Sequence, residues 1–415
     1  MRILIIAIFL AISIFRFFLK YLTYTRRNAP LPANVQDVFD AETYKKSQAY
    51  EMEKLKYSIV TDLIGMVVSL AFLLLNFHFS LYQFISEHTT NIYLTSLFIL
   101  LLPDLIGSII DRLTDIYSTF GIEAKYEFNK TTPKTFIADT IKMGLVNILI
   151  MGGLFCLFLF LFNLLGNAVF VVFFFILLGF VVLMRFLSPF ILKLMYKYTP
   201  LEDGELKDKI EEFAKNAGYD IEGIYVVDGS RRSTKANAFA TGFGKSKRIG
   251  LFDTLVEQFT HDEIVAVLAH EIGHAKLSHM LKSVPLNLIS FAIALGVAYF
   301  VLTMPEVSQD FGFADVNIAF AIYVLFIMIS PLILVLRIPS QLLSRKHEYE
   351  ADAYAAKHCN PKDMISCLKK LNRIAYSNLT PHQFVVMMEY SHPPLSQRIA
   401  ALENYISTPR RSTPM

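Results

Sequence analysis

The sequence predicts a mainly α-helical, polytopic membrane protein that also carries a polar helical region with a small β-sheet. Three observations predict it. Hydrophobic residues make up 54% of the 415, and mean hydropathy is +0.45, more than a soluble core needs. Seven apolar runs are long enough to cross ~30 Å of hydrocarbon at about 20 residues per helix. Two polar stretches of similar length lie before and after the last two runs.

The apolar runs are residues 3–19, 57–85, 93–110, 143–165, 168–194, 284–304 and 318–336. The first has no small-residue cleavage site and reads as a retained anchor. Asp62, Asp104, Asn147 and Arg185 fall inside these runs. An ionisable group in hydrocarbon costs roughly 2.5–3.5 kcal/mol on insertion scales, so these four are expected to face a wet interior or one another. The links after the first and third runs carry Lys20, Arg26, Arg27, Lys45, Lys46, Lys54 and Lys56, then Arg112, Lys125, Lys130, Lys134 and Lys142, whereas links 86–91, 166–167 and 305–317 carry no Lys or Arg. The positive-inside rule therefore puts the N-terminus outside, the C-terminus inside and both polar segments in the cytoplasm. The chain divides into residues 1–194 (spans one to five with cytoplasmic loops), 195–283 (a polar region with a sheet), 284–336 (spans six and seven) and 337–415 (a second polar region).

Composition also excludes. A formal net charge of +3 argues against nucleic acid as a partner. Cys156, Cys359 and Cys367 have neither the number nor the spacing of a disulfide framework and read as small apolar fillers. No internal repeat is evident, and the polar insert after the fifth span breaks the hydropathy symmetry of a repeat-built transporter. The polar end, 407–415, is expected to be loose.

In the first polar stretch, 224–228, 237–243 and 248–252 read as strands, with GKSK as the turn between the last two. Thr260 followed three residues later by Glu263 resembles a capping box, and Ile264, Val267, Leu268 and Ile272 supply the apolar stripe of the helix it opens. That helix contains LAHEIGHAKLSH, residues 268–279, with an HEXXH pattern. His270 and His274 project from one face one turn apart and can reach a single zinc ion at ~2.0–2.1 Å, with Glu271 beside them as a base for a water. The pattern alone also fits an amphipathic helix with two solvated histidines, so a third ligand decides. His279 reads as a surface residue. Downstream, SRKHEYEADAYAAK sets Glu348 and Asp352 four apart on a second helix, hence on one face. Glu348 can ligate zinc and Asp352 can orient a ligating imidazole; the plainer reading is an acidic solvated face. Topology favours the ligand reading, because the chain crosses the membrane twice between His274 and Glu348 and returns to the side it left. Three protein ligands with one open position suit peptide hydrolysis, with Glu271 as general base. In YSHPPLSQRIAAL, His392 and Arg398 are candidate donors to a developing oxyanion. A peptide added as a strand to an edge of this sheet would be held extended through backbone bonds; the plainer reading is a small sheet that supports the helix.

Taken together, NAFATGFGKSKRIGLFDTLV, LAHEIGHAKLSH, SRKHEYEAD and SHPPLSQR, with DAETYKKSQAY and STFGIEAKYEFNKTTPKTFIADTIK upstream, resemble the type-1 CAAX prenyl endopeptidases, integral-membrane zinc metallopeptidases of the gluzincin type. The resemblance implies His270, His274 and Glu348 as ligands of one zinc per chain, Glu271 as base and Asp352 behind the ligands. It implies His392 and Arg398 as oxyanion and active-site support, and Asn237 with Ala238 as the substrate-pairing edge. It further implies seven transmembrane helices enclosing a water-filled chamber, zinc at its cytoplasmic end, and as partners the lipid bilayer and a peptide or protein substrate, prenylated or not. Glu350 stands where that family often has glutamine, and the tail lacks a dilysine signal. The expected residence is the plasma membrane for a bacterial source and the endoplasmic reticulum for a eukaryotic one. Two other tasks compete: quality control of membrane proteins by the same chemistry, and a non-catalytic chamber or transporter.

Overall fold

The computed structural model describes residues 1–241 and 247–407, with the side chains of Arg185, Phe186, Ser188, Pro189 and Thr241 left out. The side chain of Arg185, most of the GKSK turn and the end beyond Ser407 therefore lie outside the described residues. The helices run α1 Arg2–Thr25, α2 Ala41–Leu74, α3 Phe77–Ser86, α4 Ile92–Ile116, α5 Pro133–Leu165, α6 Val169–Met195, α7 Glu205–Asn216 and α8 Asp253–Gln258. They continue with α9 His261–Lys276, α10 His279–Thr303, α11 Glu306–Gln309, α12 Ile318–His358, α13 Pro361–Ala375, α14 Gln383–Glu389 and α15 Leu395–Ser407.

Among the described residues, six helical stretches are long and apolar enough to cross a membrane. One of them, Pro133–Met184, is a hairpin: α5 stops at Gly166, whose φ of +54° is in the left-handed region, and α6 runs back against α5. The seven crossings are therefore α1, α2, α4, α5, α6, α10 and α12. Each packs on the next around a closed ring, and α12 returns to α1. Only 6–28% of each stretch's most apolar window is buried.

One end of the ring is sealed. Ile5, Leu73, Phe158, Val169, Phe170, Val301 and Phe320, from six of the seven helices, form one apolar cluster there. The Met1 amine lies 2.7 Å from Asp310 at the same end. Of the polar groups inside the runs, Asp62 pairs with Lys20 of α1 at 2.7 Å, and Asp104 and Asn147 are exposed.

Three helix boundaries differ from expectation, each for a local reason. α2 starts at Ala41, well before the apolar run, because the Asp40 carboxylate accepts hydrogen bonds from the Glu42 and Thr43 amides. The run 57–85 is not one helix: Asn76 adopts φ 52° and separates α2 from α3. The helix carrying Glu348 is not separate either, since α12 continues from the last span without a break for 41 residues.

The polar region holds a four-stranded sheet of β1 Tyr198–Pro200, β2 Gly223–Val227, β3 Ala238–Thr241 and β4 Arg248–Phe252, in the order β1-β2-β4-β3. β2 and β4 are parallel; the outer pairs are antiparallel. Gly250 lies beneath Phe239, and a Cβ there would come 2.4 Å from the ring, which would have to shift. Ile224, Ala238, Ile249 and Leu251 pack on Ile264 and Leu268 of α9. Apolar burial between sheet and helix thus fixes the height of the HEXXH residues. β3 is an edge strand lying along α9.

Candidate metal centre

α9 begins as the sequence indicates. Thr260 Oγ1 accepts from the Glu263 amide at 3.3 Å, and Glu263 Oε2 accepts from the Thr260 amide at 2.9 Å. Glu263 does more than cap. It is 4% exposed and accepts from Ser366 at 2.6 Å and Lys370 at 2.7 Å on α13. Burial disfavours its charge, but these partners outweigh that and hold its carboxyl below the usual range. The N-terminal half of α9 is thereby bolted to α13, and its C-terminal half meets α12. Gly273 allows that meeting: a Cβ there would lie 3.1 Å from Tyr354 Cβ. Its role is helix approach as much as clearance between the histidines.

Crossing of α9 and α12 brings His270, His274 and Glu348 together, their candidate ligand atoms all within 4.8 Å of one another. His270 Nε2 and His274 Nε2 are 3.1 Å apart. Glu348 Oε2 is 3.5 Å from His270 Nε2, and Glu348 Oε1 is 3.4 Å from His274 Nε2. Atoms about 2.1 Å from a common centre in a tetrahedral array sit roughly 3.4 Å from each other, so three corners fit a zinc-sized cation. Glu348 Oε2 is buried with no hydrogen bond, an orphan that a cation would satisfy. Charge points the same way. Burial alone would lower the His270 pKa, yet Asp352 and Glu348 outweigh it and raise it to about 9. The pocket calls for positive charge between imidazole and carboxylate.

Behind the ligands, Asp352 Oδ1 lies 2.9 Å from His270 Nδ1, off the line of an ideal hydrogen bond. Arg398 of α15 grips Asp352 with two bonds, Nε to Oδ2 at 2.8 Å and Nη2 to Oδ1 at 2.6 Å. Its Nη1 also lies 3.4 Å from Glu348 Oε2. Two of the five guanidinium N–H donors of Arg398 are thus engaged with Asp352. His392 differs: its side chain is 62% exposed and its Nε2 lies 3.4 Å from Glu348 Oε1, with Nδ1 2.9 Å from Ser391 Oγ. Burial raises the proton affinity of the Glu271 carboxyl above the ordinary glutamate value. Asn237 is exposed, its Oδ1 accepting from the Ala238 amide at 2.9 Å, at the head of the edge strand.

His279 is not a surface residue. Only 4% exposed, it sits against His274 and between His347 and Glu350. Nothing in its spacing on an ideal helix signals this, because Ser278 at φ 55° breaks the helix just before it.

Residues 200–406 match peptidase family M48, and residues 20–197 match the CAAX prenyl protease N-terminal region of five membrane helices. The chain is 31% identical to CAAX prenyl protease 1 of Saccharomyces cerevisiae over 95% of its own length and 94% of that protein's. To the human CAAX prenyl protease 1 homolog it is 31% identical, covering 90% of this chain and 88% of that one. The crystal structure of S. mikatae Ste24p superposes with a TM-score of 0.91 at 31% identity, covering 97% of this chain and 99% of that one.

Proposed function

The chain belongs to peptidase family M48, and from that membership we propose that it is an integral-membrane zinc endopeptidase that cleaves prenylated proteins near their C-termini. The observation that carries this reading is the spacing of His270, His274 and Glu348, three tetrahedral corners assembled from two helices on either side of a membrane hairpin. Names of the yeast and human relatives support the prenylated substrate class. Basic loops at the site end of the ring support a cytoplasmic site, with the sealed end outside. The division into residues 1–194, 195–283, 284–336 and 337–415 follows from the same topology.

When bound by these three residues, zinc supplies a Lewis acid for the scissile carbonyl and lowers the pKa of a water towards ~7. Glu271 takes the proton from the attacking water and passes it to the leaving nitrogen. His392, exposed and close to Glu348, donates to the carbonyl oxygen as negative charge develops. Arg398 and Asp352 keep His270 and Glu348 in place. The substrate adds as a strand along β3 from Asn237 and Ala238, held by backbone bonds that are indifferent to its side chains. The chamber accommodates the remainder of a lipid-bearing chain.

Mass spectrometry of products from a farnesylated peptide ending in a CAAX sequence, and from its unmodified twin, tests the proposal. Removal of the last three residues from the farnesylated peptide, absent in Glu271→Gln, is expected. Equal cleavage of both peptides would move the reading to general membrane-protein turnover, and no difference between Glu271→Gln and wild type would remove hydrolysis altogether.

A further inference from the structure

His274 Nδ1 lies 2.9 Å from His279 Nδ1, and His279 Nε2 lies 2.9 Å from Glu350 Oε2. If Nε2 of His274 faces the metal, as proposed above, its one proton is on Nδ1 and must be donated to His279 Nδ1. His279 then carries its own proton on Nε2 and donates it to Glu350. Every proton in the chain is thereby assigned without a charged imidazole. We propose that His279 and Glu350 are positioning residues of the metal centre, a relay through which a carboxylate orients His274 and strengthens it as a ligand.

The surroundings fit a relay rather than a chance contact. His347 lies flat on His279 with ring centres 4.1 Å apart and planes 6° apart, which fixes the plane in which His279 can accept. The turn matters too: Ser278 in the left-handed region folds the first residue of α10 back over the last turn of α9, so His279 overhangs His274. Lys282 and Lys346 lie 3.6 and 3.8 Å from the Glu350 carboxylate and keep it ionised at a position 32% exposed. The two histidine ligands thus differ. His270 has the Asp352 carboxylate next to it at 2.9 Å; His274 has Glu350 one imidazole removed. Carboxylate–histidine–metal pairing raises ligand basicity and fixes the tautomer, and its loss typically costs about 10–100-fold in metal affinity.

The test is metal binding by the purified full chain, measured by competition with a zinc chelator and by the visible spectrum of the cobalt-substituted protein. His279→Phe keeps a flat ring against His347 but can neither accept nor donate. It is expected to weaken zinc about 10–100-fold and to shift the cobalt bands, while helical content and melting of the zinc-free protein stay close to wild type. Glu350→Ala, at a position 32% exposed, is expected to weaken zinc several-fold, and Lys357→Ala, exposed at the end of α12 and outside the relay, is the unaffected control. Zinc affinity within about threefold of wild type in both His279→Phe and Glu350→Ala overturns the relay, as does a fall in melting temperature with affinity unchanged. Wild type that holds zinc no more tightly than His274→Ala would instead overturn the ligand assignment on which the relay rests.

Discussion

Replacing Arg398 with Met removes a guanidinium that is 11% exposed from a carboxylate that is 2% exposed. Two charge-assisted bonds of 2.8 and 2.6 Å disappear, and the Asp352 charge stays in a site with little water. Breaking a buried pair from one side costs about 3–5 kcal/mol, most of it the penalty of the stranded charge. Asp352→Asn strands the guanidinium instead, with a similar penalty. The two penalties describe one interaction, so the double variant is expected to lose less than the sum by about 2–3 kcal/mol. Unfolding of each variant in mild detergent, followed by helical circular dichroism with zinc chelated, gives the cycle. Tyrosine or circular dichroism must serve as the signal, since the chain has no tryptophan. Costs that add within about 0.5 kcal/mol would show that Arg398 and Asp352 do not act together.

Other outcomes follow from the same geometry. Glu263 has its pKa lowered on folding, so its stabilisation is present above the unfolded-state pKa and lost as pH falls through the folded one. Glu263→Gln is expected to destabilise by about 1–2 kcal/mol near neutrality, with the gap in melting temperature to wild type closing as pH falls. Gly273→Val forces side-chain atoms into Tyr354, whose Cβ is only 3.1 Å from where a Cβ at position 273 would stand. It is expected to cost about 1–3 kcal/mol and to lower zinc affinity by parting α9 from α12; unchanged zinc affinity would show that the crossing distance does not set the site.

Much of this was legible in the chain because local signals and global fold agree at those positions. The capping box at Thr260 and Glu263, the four-residue spacings of His270 with His274 and Glu348 with Asp352, and the long apolar runs each rest on one periodicity that tertiary packing does not override. What escaped has the opposite character. Asn76 and Ser278 enter the left-handed region without being glycine, and each redirects a helix by a conformation that no composition rule demands. His279 was legible only as a residue five beyond His274, and its burial follows from that turn. β1 is three residues ending in Pro200, too short to alternate. The union of the last span and the Glu348 helix into α12 is hidden by the switch from lipid-facing to polar residues, which changes composition but not backbone.

Elemental analysis of the purified chain and its Glu348→Ala variant tests the central claim most directly. The expected result is one zinc per wild-type chain, lost from Glu348→Ala while the helical spectrum is retained. Zinc retained at full stoichiometry in that variant would contradict the meeting of α9 and α12 around a single ion.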